Sequence, residues 1–363
     1  MRSDSKLAGP ATGGATGRLR AALGAAGPAL VAGMLPLLFI PTTVDAYVLP
    51  RASLVLLAGC SAALAGLWLP VSLRPSLGVL GPVALAVAAA ALLATILSVA
   101  PALSLIGSYG RYESLPMRLA YLLSFCLGVW VLRSRRQRWW TVTAFIVGCL
   151  VASLEALNQT RTGIPPRPDG NLGHANLLAA LVAMALPLVI ARSLRTPLWS
   201  LCVVPLGGAL VATSSRSGWL GAMAGCVLLF PLLASTGPRR GWALAAAAGS
   251  VVAAAAAVIA SPLGRLHSDT GSARLHVWSD SLAMIWARPL TGWGPESQGI
   301  VLGRFLRGDW EPGATFDRIH QLALDLLATQ GMLGLVACSA FWALWAWRCW
   351  RCLETAAIPE GER

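Results

Sequence analysis

Stretches of about twenty apolar residues recur along this chain between short polar junctions, and that spacing confines it to helices that span a lipid bilayer. In hydrocarbon every backbone N–H and C=O must bond within the protein, so such runs read as helices rather than open strands. Runs with Lys or Arg only at their edges cover 22–41, 52–71, 77–99, 115–132, 139–157, 174–191, 197–213, 217–236, 241–261 and 319–347. The expectation is an all-α polytopic membrane bundle of about ten transmembrane helices with one large extracytoplasmic loop. A hydrophobic share of 56%, a charged share of 12% and a mean hydropathy of +0.67 exclude an ordinary soluble domain.

The formal charge of +13 does not point to nucleic acid, because it alternates along the chain instead of forming one patch. Basic residues gather at every second junction: Arg18 and Arg20, Arg74, Arg133 to Arg138, Arg192 and Arg195, Arg239 and Arg240, then Arg348 and Arg351. The positive-inside rule places those junctions and both termini in the cytoplasm. The expected plan is a cytoplasmic leader 1–21, nine spans within 22–261, an extracytoplasmic loop 262–318, a tenth span 319–347 and a cytoplasmic tail 348–363. The eight cysteines fall within spans or in the tail, so no disulfide framework is expected, and Cys349-x-x-Cys352 lacks a second ligand pair for zinc. The basic start resembles a signal peptide, but no cleavage box follows it, and it reads as a retained first span.

Polar residues that interrupt the apolar pattern are the candidates for chemistry. Residues 272–287 place Leu275, Trp278, Leu282 and Ile285 at helical spacing, which predicts an amphipathic helix on the membrane surface, and the Pro and Gly residues of 288–295 end it. Residues 296–318 are expected to be irregular. The four histidines, His174, His267, His276 and His320, all lie on the outer side, but their spacing matches no metal-ligand motif, so no metal is expected. His267 reads as a solvated loop residue. His320 opens the last span, where an imidazole suits proton transfer near neutrality. Arg216 sits in Thr213-Ser-Ser-Arg-Ser-Gly218 with almost no loop to solvate it. A guanidinium flanked by hydroxyls suits bidentate phosphate binding, with snorkelling to the surface as the plain alternative. Arg274 carries the same pair of readings. Asn176, at the start of a span, reads as a helix cap, and Arg111 and Glu113 are expected to pair with each other. No Walker loop or zincin helix occurs.

Four blocks together resemble the O-antigen ligase and O-antigen polymerase superfamily of bacterial membrane glycosyltransferases. They are Gly170-Asn-Leu-Gly-His-Ala-Asn-Leu-Leu-Ala179, Thr213–Gly218, the stretch from Arg274 and Trp278 through Arg288–Pro295, and His320-Gln-x2-Leu324 through Gly331-Met-Leu-Gly334. The resemblance implies that His320 is the catalytic base and that Arg216 and Arg274 hold the diphosphate of a polyprenyl-linked glycan donor. Arg111, Asn176, Arg288, Arg318 and Gln321 are implied as further substrate contacts. The chain departs from the family pattern at Gln321, where Asn is usual, and at Thr329, where Glu is frequent.

By that resemblance the function is metal-independent, inverting transfer of an oligo- or polysaccharide from its polyprenyl-diphosphate carrier, with no cofactor. The acceptor would be a hydroxyl of a glycolipid, a glycan or a protein, reached at the periplasmic face of a bacterial inner membrane. The competing class is a polysaccharide transporter or flippase that binds an anionic lipid-linked substrate, for which paired broken helices or inverted repeats would speak. The lipid bilayer is a partner in either case, and nucleic acid in neither.

Overall fold

In the computed structural model, residues 27–68, 77–234, 268–308, 310 and 316–356 are described, and among them the regular structure is entirely helical. The expected span 241–261, His267 and the leader lie outside these residues. The elements are α1 (residues 27–34), α2 (Val48–Trp68), α3 (Leu80–Ile96), α4 (Pro101–Ile106), α5 (Leu115–Val131), α6 (Arg135–Thr162), α7 (Ala175–Ser193), α8 (Val203–Ala212), α9 (Arg216–Ala234), α10 (Ser268–Ala287), α11 (Gln298–Val301) and α12 (Leu322–Ala356). Three helices, Arg135–Thr162, Ala175–Ser193 and Leu322–Cys352, are long and apolar enough to cross a membrane, and shorter apolar helices accompany them. The count of about ten spans therefore remains an expectation. The run 197–213 is split, because Pro197–Cys202 forms a tighter 3-10 turn before α8.

Helix α7 packs on α9, α2 on α5, α3 on α12, and α6 on α7 and α8. Ile146, Leu178, Val182, Val189 and Leu206 are completely buried between them. Without a hydrophobic force between lipid and helix, close approach of small residues holds such pairs together. A Cβ on Gly59 of α2 would stand 2.7 Å from the Ala120 backbone of α5. At the opposite end from the candidate site, Arg192 donates to Thr143 Oγ1 at 2.6 Å and lies 4.9 Å from the ring centres of both Trp139 and Trp199. The two indoles and the guanidinium form the kind of belt expected at a membrane boundary.

Helix α12 is broken at Gly331, with φ 64° and ψ −164°. A break inside apolar surroundings strands backbone groups, and the segment after α10 satisfies them. Met332 and Leu333 donate to the carbonyls of Pro289 and Leu290 at 2.8 and 3.2 Å, while Ala328 and Thr329 accept from Trp293 and Gly294 at 2.8 and 3.0 Å. The backbones meet so closely that a Cβ on Gly331 would lie 2.3 Å from the Leu290 carbonyl, and one on Gly292 would lie 2.6 Å from Gln330 N. Gly292 and Gly331, one from each sequence block, are thus explained by one interdigitation.

The amphipathic helix α10 forms, but its buried face differs from the expected one. Val277, Asp280, Ser281 and Met284 face inward with Ile285, whereas Leu275 and Leu282 are exposed along with Trp286. Asp280 can be buried because it accepts from Trp310 Nε1 at 2.8 Å and pairs with Arg307 at 3.1 Å. Burial raises its pKa, yet the hydrogen bonds from Trp310 and Arg307 and the neighbouring charges hold it below the usual carboxylate range. The apolar stripe of Leu275, Leu282 and Trp286 is left facing outward, the side a membrane surface would meet.

Gly331→Ala and Gly292→Ala should each lower the thermal midpoint of the detergent-purified protein, at a cost of about 1–3 kcal/mol per strained position. Gly303, with open space around it, serves as the control: Gly303→Ala should melt as the parent does.

Candidate active site

The break in α12 fixes what precedes it. Ile319 is completely buried; its carbonyl accepts from Trp278 Nε1 at 2.9 Å and its N–H donates to Asp325 Oδ1 at 3.2 Å. Clamped on both sides, the chain presents the next residue, His320, outward at φ +60°, a conformation a non-glycine side chain adopts only when its surroundings impose it. His320 therefore lies two residues ahead of α12 rather than within the span. Although it is exposed, burial of part of the imidazole, and next the nearby charge of Arg274, lower its pKa; Asp317 and Asp325 oppose the shift. Protonation of the ring is thus disfavoured relative to an ordinary histidine, and the neutral form is the one that accepts a proton.

Beside this loop lies a cavity of about 550 Å³, walled by the 108–113 loop, the N-terminal part of α5, residues 296–300, Asp317, Arg318 and the first turns of α12. Arg111 pairs with Asp317, and Arg318 with Glu113. The expected Arg111–Glu113 pair is thus replaced by two pairs that tie the 108–113 loop to the segment before His320. Glu296, held at φ +62°, accepts from Ser108 Oγ at 2.5 Å and from the Glu113 backbone. Asp325 accepts from Gln298 Nε2 at 2.9 Å. Arg118 donates from Nε to the Glu113 carbonyl at 3.1 Å, and among the described residues its terminal nitrogens make no hydrogen bond or ion pair.

A second cluster gathers the junctions around α7 and α9. Arg167 donates to the Thr213 carbonyl and to Asn176 Oδ1, both at 2.9 Å. Arg216 is the first residue of α9, and its Nη2 is buried with no partner among the described residues. A buried charged donor without a partner is costly, and an anion would satisfy it. Asn176 is not the cap expected of it: His174 holds that place, its Nδ1 accepting from Asn176 N at 3.1 Å. Gln159 and Arg51 fasten the 169–172 turn, Gln159 accepting from Asp169 and Gly170 and Arg51 donating to the Asn171 carbonyl at 2.9 Å.

The candidates from the sequence thus fall into two groups. His320, Arg274, Arg111 and Arg318 share one neighbourhood, while Arg216 and Asn176 lie in the other with Arg167. Among the described residues no hydrogen bond or ion pair joins the two. Arg288 donates to the Leu97 carbonyl at 3.2 Å and lies 4.6 Å from the Trp293 ring centre, and Gln321 accepts from Leu324 N at 2.6 Å as a cap of α12. Both therefore brace the scaffold. Sequence reasoning did not single out Glu296, Asp325, Arg118 or Arg167. An acid in the first turn of an apolar span and arginines at span ends were the available signals.

Fold and site together define a helical membrane protein with a polar cavity and a strained, exposed histidine at one end of the bundle. Residues 201–339 match the family described as O-antigen ligase, and that match contains the second, third and fourth of the blocks on which the resemblance rests. Neither curated proteins nor solved structures yield a match. Over those residues, well under half of the chain, the protein is similar to that family of membrane glycosyltransferases.

The Arg318–Glu113 pair should behave as a coupled unit. Arg318→Gln and Glu113→Gln are each expected to lower the thermal midpoint, and the double variant should lose clearly less than the sum of the two. Additive losses in the melting curves would show that the pair is not energetically linked.

Proposed function

We propose that the protein moves an oligo- or polysaccharide from a polyprenyl-diphosphate carrier to an acceptor hydroxyl, with inversion at the anomeric carbon. His320 takes the proton of the acceptor hydroxyl as its oxygen attacks, the C–O bond to the carrier phosphate breaks, and the diphosphate leaves on the lipid. Arg216 and Arg274 hold that diphosphate and stabilise the charge that develops on it, which assigns the electrostatic work to guanidinium groups. Asn176 positions Arg167 beside Arg216. Arg111 and Arg318 align the loop bearing His320, and Arg288 and Gln321 brace the broken helix behind it. The reading requires the two clusters to meet across the bound carrier.

The observation that carries the proposal is His320, strained next to the buried Ile319, with its pKa lowered first by burial and next by the charge of Arg274. The buried, unpartnered Nη2 of Arg216 supports the phosphate role independently. In this reading the chain is a multi-pass protein of the bacterial inner membrane with both termini cytoplasmic. Loop 262–318 and the active site then face the periplasm, where the lipid carrier and a glycolipid, glycan or protein acceptor meet.

Transfer by purified protein in lipid nanodiscs, read by mass spectrometry of the products, tests this. His320→Ala should reduce the rate by about 10²–10⁴-fold. Arg216→Lys, which keeps charge but loses the fork, should reduce it by about 10²-fold. A transporter reading gains if His320→Ala transfers as the parent does. Because the His320 pKa is lowered, the midpoint of the acidic limb of the rate profile should lie below the ordinary histidine value of 6.5. Arg274→Gln removes a cation that disfavours protonation, so the limb should move to higher pH. A limb that stays in place would separate Arg274 from the base.

A further inference from the structure

We infer that the 550 Å³ cavity holds the uncharged sugar rings of the glycan, and that the diphosphate binds outside it, at the Arg216 cluster. The inference rests on the proposed transfer reaction but concerns a different part of the substrate. Three guanidiniums and four carboxylates line the cavity, so their formal charges do not favour an anion. Arg111 and Arg318 are already neutralised by carboxylates, and a diphosphate would have to lie against Glu296 and Asp325. Sugar hydroxyls both donate and accept, and here they meet donors and acceptors interleaved. The terminal nitrogens of Arg118 can donate, and Asp325 Oδ2, which accepts no hydrogen bond among the described residues, can accept.

Tyr109, exposed at the cavity wall, adds an aromatic face for the apolar side of a pyranose, and the volume falls within the ~300–1,000 Å³ of small-molecule sites. The Arg167 and Arg216 cluster has the opposite character. No carboxylate pairs with either guanidinium among the described residues, and one buried donor stands unmet. Separate subsites would let one protein bind a neutral chain and a polyanionic linkage without either repelling the other.

The test uses full-length protein in nanodiscs, the neutral glycan released by mild acid from the host cell's lipid-linked pool, and inorganic pyrophosphate as the anion. Binding is measured by calorimetry, apart from turnover. Arg118→Gln should weaken glycan binding about tenfold or more, the loss of a charge-assisted hydrogen bond. Ile300→Trp, which narrows the cavity without removing a charge, should do the same in a protein that melts normally. Arg216→Gln should weaken pyrophosphate and leave the glycan unaffected. The inference is overturned if the parent does not bind the glycan, if both cavity variants bind it undiminished, or if pyrophosphate displaces it. Glycan binding that follows this pattern in a protein unable to catalyse transfer would overturn the proposed reaction and leave the cavity assignment standing.

Discussion

The structure depends on an exchange of backbone hydrogen bonds between the break in α12 and the loop that follows α10. A helix interrupted within a membrane domain would strand several N–H and C=O groups, each unpaired group costing on the order of 1–3 kcal/mol. Here the stranded groups of 328–333 are met by the main chain of 289–294, and the cost is offset group by group. The same loop continues through Ser98 and Ser104, where Ser104 Oγ donates to the Pro295 carbonyl at 2.6 Å, and ends on Glu296. One irregular segment therefore joins α3, α4, α12 and the 107–114 loop. Its rigidity passes to whatever stands on it.

That rigidity explains how an exposed loop can hold His320 in a fixed geometry. The approach to His320 is fixed through main-chain groups of Ile319 and through Asp325, not through the imidazole, which leaves the ring's nitrogens available. The carboxylates that surround it divide their tasks. Glu113 and Asp317 neutralise arginines from another segment, while Asp325 serves as a hydrogen-bond acceptor for the backbone and for Gln298. Charge in this neighbourhood is nearly balanced, which suits a low-dielectric boundary where an unpaired ion is costly.

The sequence made the helices legible where hydropathy alone decides, and most apolar runs found a helix within a few residues of their expected limits. It did not reveal the break at Gly331, because the apolar pattern of α12 runs through it without change. The inward face of α10 was misread because Asp280 looks like a solvent residue until Trp310 and Arg307, far along the chain, are brought to it. Arg111 was matched to Glu113 two residues away, whereas its partner, Asp317, becomes a neighbour only on folding. Of the candidate site, His320, Arg216 and Arg274 could be singled out by residue type and place, while their specific roles came only from the family resemblance. Arg118 and Asp325 could not, since an arginine or an aspartate near a span end is more often merely solvated.

Strain gives an independent guide to the same region. Among the described residues the non-glycine positions at positive φ are Tyr112, Asn171, Ser214, Glu296 and His320. Each lies in a different junction, yet α2, α5, α7, α9 and α12 begin, and α3, α6 and α8 end, at this same end of the bundle. Such conformations cost about 1–3 kcal/mol each and persist only where neighbours impose them. Here the neighbours are visible: Arg51 holds the Asn171 carbonyl, Ser108 holds Glu296, and Asp325 holds the residue before His320. A bundle serving only to fill the membrane would have no use for strain concentrated at one of its ends. A surface that must keep several polar groups projecting together does, because strained turns hold side chains out where relaxed helix ends would fold them back.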